Sequence, residues 1–310
     1  MSRRSALAAA LTLLAAAVAG CSGQSPDGSP DAGSSHASHR PAHHAGHPPS
    51  PSRHPTATQR PTESPTESPS PSPTGTFSDW QVGAHPLPLR PDGFGEVRPT
   101  PPELRVRRLP TQDVLPPPPD GQFTAVVRPV TPDFARRTSL AWFPGCPVGL
   151  ADLRLLQLSF WGFDGLPHTG QLVVNQSVAA DVVQVFRKLY AVRFPIEEMR
   201  LVTKADLDAP PTGDGNVTAA YACRPVRGST EWSAHAYGLA IDVDPFDNPY
   251  KNGDLVLPEL ASSYLDRSWR RPGMIFADGP VVAAFNDVGW TWGGTFHSVL
   301  DLQHFSANGR

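Results

Sequence analysis

Proline sets the limits of the fold. Of the 37 prolines, 23 precede Gly121. Proline has no backbone N–H and a locked φ, so it interrupts helices and sheet ladders alike. A packed domain is therefore expected over residues 122–310, and about 190 residues are ample for one hydrophobic core. Residues 21–76 are mostly Ser, Pro, Thr, His, Gly and Ala. Such a segment buries too little apolar surface to offset its ordering entropy, so it reads as a disordered, extended linker. Its histidines (His36, His39, His43, His44, His47 and His54) are read as composition rather than as a metal site. Residues 77–121 place Phe77, Trp80, Leu104 and Leu115 among many prolines, which predicts a partly ordered arm closed by "PPPPDG", Pro116 to Gly121.

Residues 1–20 combine Arg3 and Arg4 with a short apolar run from Leu7 to Val18. This is the pattern of an export signal, too short for a spanning helix. "VAGC", ending at Cys21, resembles a bacterial lipoprotein cleavage box, which implies lipidation of Cys21 and a location on the outer face of the cytoplasmic membrane, facing the cell wall. The alternative is ordinary secretory cleavage with Cys21 free. The remaining cysteines are Cys146 and Cys223. In an exported chain an even count predicts a disulfide, two buried thiols being the alternative. A formal net charge of −3 gives no reason to expect nucleic acid as a partner.

Within 122–310 the pattern alternates between periods. Phe123–Val130, Leu153–Gly162 and Gly170–Asn175 are rich in branched and aromatic residues and read as strands. Asn175 caps a predicted helix with Val178, Val182, Val185, Phe186 and Leu189 on one face, ended by Pro195. Short strands are predicted at Met199–Val202, Ala219–Ala222 and Gly238–Asp244, and a second helix begins near Pro280. No βαβ unit repeats. The order argues for an α+β fold with a mostly antiparallel sheet.

"STEWSAHAYGLAIDVDPFDNPY", Ser229 to Tyr250, carries the chemistry. His235 and Asp242 lie seven residues apart, with Gly238 able to turn the chain between them. On a strand Ala240 and Asp242 face the same way, and Ala240 leaves room under a metal. Zinc takes imidazole nitrogen and carboxylate oxygen, three protein ligands forming a catalytic site. The later "DLQHF" supplies His304 as the third, with Asp301 three residues earlier as acid/base.

"SAHAYGLAID" fits S-x-H-x-x-G-x-A-x-D, and "ACRPVRGSTEWSAHAYGLAIDVDPFDNPY", "GWTWGG" and "DLQHF" follow in order. In these motifs, and upstream in "FWGFDGLPHTGQLVVN", the chain resembles zinc D-alanyl-D-alanine carboxypeptidases of the VanY type and the related L-alanyl-D-glutamate endopeptidases. The resemblance spans roughly residues 123–310. It implies a hedgehog-type zinc fold, Zn2+ held by His235, Asp242 and His304, Asp301 as catalytic acid/base, and peptidoglycan stem peptides as substrate. It places Arg224 where the family binds a substrate carboxylate or a developing oxyanion. Ser233, Tyr237 and Trp292 fall at the substrate-binding surface or in its supporting structure. His297 is an alternative proton donor. Many carboxypeptidases of this group carry Glu where this chain has Asp301, and the endopeptidases match better there. "DNPY", Asp247 to Tyr250, reads as a turn buttressing the ligand strand. The expected protein is a monomeric zinc peptidase, tethered to the membrane. A non-catalytic, wall-binding lipoprotein is the reading from another class, and Asp301 speaks against it.

Overall fold

The computed structural model describes residues 77–226 and 229–310. The expected export signal, Cys21 and the linker lie outside the described residues.

Strand β1 (Ala125–Pro129) is followed by a short helix α1 (Pro132–Arg137), then by β2 (Leu153–Trp161) and β3 (Pro167–Asn175). The three strands form an antiparallel sheet with β2 in the centre. β2 reads "LRLLQLSFW", apolar through most of its length. That suits a strand covered on both faces. Leu156, Leu158 and Phe160 enter one core, while Leu153 and Leu155 enter a second with Val130, Leu140, Leu201 and Tyr221. The first core is roofed by helix α2 (Ala179–Ala191), whose Val182, Val185, Phe186 and Leu189 are buried. Asn175 opens the approach to α2 by accepting a hydrogen bond from the Ser177 N–H. The helix stops before Pro195, where Arg193 takes a left-handed φ of 52°.

Beyond α2 the elements are short. β4 (Glu198–Met199) pairs in parallel with β5 (Val217–Thr218), and α3 (Lys204–Asp208), held by a Thr203–Asp206 capping box, lies between them in sequence. The strands predicted over 199–202 and 219–222 are thus shorter and displaced. Isolated contacts hold those stretches instead: Ala141 N–H donates to the Val202 carbonyl, Tyr221 N–H to the Val173 carbonyl and Ala222 N–H to the His235 carbonyl, while Ala219 and Asp242 exchange a pair of hydrogen bonds. Residue pattern cannot foretell pairing of that length, since tertiary partners fix it.

The remaining strands are β6 (Ala240–Asp242), β7 (Tyr250–Asn252) and β8 (Leu255–Leu257), then helix α4 (Pro280–Asn286), then β9 (Thr291–Trp292), β10 (Leu300–Asp301) and β11 (His304–Ser306). They form two antiparallel sheets, ordered β6-β11-β9 and β10-β7-β8. The fold is α+β with mostly antiparallel pairing, as expected.

The 77–121 segment is fastened along its length. Leu87 and Leu104 are buried in a third core with Phe246, Leu260, Tyr264 and Met274. The Trp80 indole donates to Asp214, and Gly95 N–H donates to Glu259. His168 is gripped through Nδ1 by Asp113 of this segment and through Nε2 by Asp164. The disulfide is present: Cys146 and Cys223 are bonded across 77 positions of sequence.

Candidate metal centre

Two stretches that are distant in sequence build the site. The turn Ala234–Tyr237 presents His235, and the Ser233 hydroxyl accepts from the His235 N–H at its start. Gly238 closes the turn with φ 67°, and a Cβ there would lie 2.5 Å from the Asn175 nitrogen. The close approach lets Asn175 N–H donate to the Gly238 carbonyl at 2.8 Å. β6 then carries Asp242, and β11 pairs with it in a register that sets His304 directly opposite Asp242. Residues directly opposite in an antiparallel pair project to the same face.

The three side chains converge. The candidate ligand atoms of His235, Asp242 and His304 lie within 4.8 Å of one another. His235 Nε2 is 3.3 Å from Asp242 Oδ2 and 3.3 Å from His304 Nδ1, and His304 Nδ1 is 3.1 Å from Asp242 Oδ1. The outer ring nitrogens are occupied. His235 Nδ1 lies 2.6 Å from the Ala220 carbonyl and His304 Nε2 lies 2.7 Å from the Arg310 carbonyl. A carbonyl only accepts, so each outer nitrogen carries the hydrogen. With both rings neutral, the form that binds a metal, the inner nitrogens aim lone pairs at the same point as a carboxylate. This donor set fits a zinc ion, and the carbonyl partners are the usual way of fixing ligand tautomers. The chain's own field shows the same demand for positive charge. Burial works against ionised Asp242, yet the two histidines hold its pKa below the ordinary range. Burial also opposes charge on His304, but Asp242 overrides it and pushes that pKa up to about 9.

Asp301 comes from β10, three positions before His304. Its Oδ1 is buried, and no group among the described residues donates to it. Burial, then the nearby Asp242 charge, raises its pKa to about 6. Gly293 packs against the backbone of Asp301 and the base of His304, a contact that only a residue without Cβ allows. It stands in the "GWTWGG" stretch. The sequence reading had assigned it no role, although a paired glycine beside an aromatic strand was the available signal.

A cleft of about 400 Å³ opens over His235 and Asp242. Ala219, Ala220 and Ala222 line it with small side chains, α3 contributes Asp206 and Leu207, and Arg224, Pro225 and Val226 form another wall.

Residues 227–307 match the family model described as D-alanyl-D-alanine carboxypeptidase. That stretch contains His235, Asp242, Asp301 and His304, while Arg224 lies just before it. The match supports a peptidase. No curated protein and no solved structure matches the chain.

The other expected site residues are distributed differently. Arg224 is half-buried on the cleft wall, next to the disulfide-bonded Cys223. Ser233 is buried and acts on the His235 turn rather than facing the cleft. Tyr237 is half-buried, and its carbonyl accepts from the Asn175 side chain. Trp292 belongs to the supporting structure. It is 7% exposed, sits in the main core, does not line the cleft, and donates its indole N–H to the Leu302 carbonyl. His297 is exposed between Gly293–Thr295 and β10. The "DNPY" turn does buttress β6: the Asn248 amide donates to the carbonyls of Val243, Asp244 and Gly273.

Proposed function

We propose that this chain is a zinc peptidase of hedgehog-type fold that hydrolyses an amide bond in the peptide stem of peptidoglycan, as a D-alanyl-D-alanine carboxypeptidase. The convergence of His235, Asp242 and His304 inside the family-matched stretch carries the reading. A zinc ion held by His235 Nε2, Asp242 and His304 Nδ1 would activate a water and polarise the scissile carbonyl. Asp301 takes the proton from the attacking water and delivers it to the leaving amine. Burial raises the Asp301 pKa, the direction that lets a carboxyl both take and return a proton near neutral pH. Arg224, on the wall of the same cleft, holds a substrate carboxylate or the oxygen on which charge develops. The alanines beside it leave space for small stem-peptide side chains. Asp301 also supports a second reading, an L-alanyl-D-glutamate endopeptidase, because its shorter side chain is the endopeptidase residue at that place.

Three measurements test this. Zinc-reconstituted protein is expected to hold about one equivalent of metal by elemental analysis, and Asp301→Asn to keep it while losing about 10²–10⁴ in rate. Near-normal turnover in that variant would remove Asp301 from the mechanism, and a zinc-loaded wild type with no turnover would favour a binding role for the site. Mass spectrometry of muropeptides after incubation names the bond by the mass released: alanine for the carboxypeptidase, a larger fragment for the endopeptidase.

We also propose that the protein is exported and anchored through a lipid on Cys21, acting as a monomer on the wall around its membrane. Two acyl chains gain about 0.8 kcal/mol per buried CH₂, enough for stable anchoring. Cys21→Ala is expected to leave the membrane fraction. Wild-type protein found wholly in the medium would overturn the anchor.

A further inference from the structure

A second polar cluster lies behind β6, away from the cleft. Its cation comes from the 77–121 segment. The Arg107 side chain is 0% exposed, with Nε 2.6 Å from Glu197 Oε2. Its Nη2 donates to Glu197 Oε1 at 2.7 Å, completing a two-pronged pair. The guanidinium lies 4.4 Å over the Phe246 ring, and the Arg107 N–H donates to the Tyr264 hydroxyl at 2.7 Å. Burial works against the Arg107 charge, but Glu197 holds the guanidinium above its ordinary pKa.

The cluster leads directly to the ligand strand. Asn216 Nδ2 donates to Glu197 at 3.0 Å and to Asp247 at 2.9 Å, and Asn216 Oδ1 accepts from the Phe246 N–H at 2.8 Å. The Glu197 N–H donates to Asp244 Oδ1 at 3.1 Å, and the Asp244 N–H donates to Thr218 Oγ1 at 3.1 Å. Asp244 follows Asp242 by two residues, and the Val243 N–H between them donates to the Gln303 carbonyl, beside His304. The turn leaving β6 is therefore fixed by groups that Glu197 and Asn216 hold, and Glu197 is held by Arg107. A buried carboxylate stripped of its cation must find another partner or draw in water, and either disturbs this lattice. Removing both charges together avoids that penalty.

We propose that Arg107 is a positioning residue for the His235, Asp242 and His304 group, so that the working metal site begins in the 77–121 segment rather than at β1. The proposal rests on the zinc reading above. It assigns to this proline-rich segment a part in the site that its sequence does not announce.

The test uses the full chain. Zinc affinity is measured by competition with a chromophoric chelator, and thermal unfolding is followed by circular dichroism. Arg107→Met is expected to weaken zinc binding about tenfold, the lower end of what groups supporting a metal ligand typically contribute, at a temperature where the fold is intact. Arg107→Met combined with Glu197→Gln is expected to recover most of that loss. Arg90→Met, which removes the ion pairs from the same segment to Asp92 and Asp254, outside this cluster, is expected to leave it unchanged. Zinc affinity within twofold of wild type in Arg107→Met, whatever its melting temperature, would reduce Arg107 to a structural role and overturn the proposal. Should Arg107→Met not fold, Arg107→Lys keeps the charge without the two-pronged geometry. Unchanged zinc affinity there would overturn it equally. Absence of zinc binding in the wild-type chain would instead defeat the metal reading itself.

Discussion

A Cβ placed on Gly293 would lie 2.5 Å from the Asp301 carbonyl oxygen, 2.8 Å from the Asp301 Cβ and 3.2 Å from the His304 Cβ. Two of these neighbours are fixed by strand pairing, so they cannot swing aside as a long side chain would. Gly293→Ala is expected to cost about 1–3 kcal/mol, the usual range for overpacking. It should also weaken zinc binding, because the displaced atoms belong to Asp301 and His304. Urea unfolding and a zinc titration check both parts, and unchanged zinc affinity would separate Gly293 from the site. Asp247 gives a second test at this scale. Burial, with Glu197 adding and Arg107 opposing, pushes its pKa up to about 7. The folded state therefore binds a proton that the unfolded chain releases at lower pH. The cost of ionising Asp247 in place is absent below the ordinary carboxylate range and complete above about pH 7, so its contribution lowers stability as pH rises. Asp244, raised by burial and by Asp247, acts in the same direction. Asp247→Asn is expected to shrink the loss of stability between pH 5 and 8. Urea midpoints at the two pH values measure it, and an unchanged difference would refute the assignment.

The element that brings the ligands together is the β6–β11 pair. Its register, His304 opposite Asp242, must hold to the residue, since a slip of one would turn His304 to the other face. Three-residue strands have few ladder bonds with which to enforce this. Packing beneath them helps: the Phe305 ring stacks on Phe285 of α4 at 3.9 Å and 10°, and both side chains are fully buried. Trp292 pairs with Phe305 from the other side through β9. Phe285→Ala is expected to cost about 3–5 kcal/mol, the range for deleting a buried ring. Because the cavity opens under β11, zinc affinity should fall with stability. A denaturant series at fixed zinc concentration, compared with a metal-free series, resolves the two. Equal destabilisation in both would mean that α4 supports the fold without tuning the site.

At the scale of the whole molecule, legibility depended on how local the determinant was. His235, Asp242, Asp301 and His304 stand in two compact motifs, and β2, β3, α2 and α4 carry periodicity long enough to read. Arg107 sits in "RVRRLP" and looks like a solvated charge, because nothing in the sequence announces Glu197, ninety positions on. β4 and β5 have two residues each, too few for any period. For Trp292 the sequence leaves substrate surface and supporting structure both open, because aromatic residues serve both roles, and the packing puts it in the core. The disulfide was legible from the cysteine count together with the expected export signal, and its consequence now has a location. It joins Cys146, in the loop leading to β2, to Cys223, one residue before Arg224. The Cys223 N–H also donates to the Ala141 carbonyl, so the cleft wall is fixed twice to the same loop. A closed loop of this size removes unfolded-state entropy worth about 4–5 kcal/mol. Reduction is therefore expected to lower stability by up to that amount. The residual hydrogen bond keeps the wall near its place, and the proposed zinc ligands lie on other elements. Reduced protein held below its new melting temperature should thus retain its zinc and most of its kcat. KM should rise, because Arg224 would be less firmly presented to the substrate. Kinetics on a defined stem peptide before and after reduction, with thiol counts to confirm opening, measure the split. A fall in kcat at constant KM would remove Arg224 from ground-state binding of a substrate carboxylate and leave it the oxygen on which charge develops, with retained zinc excluding the metal centre as the cause.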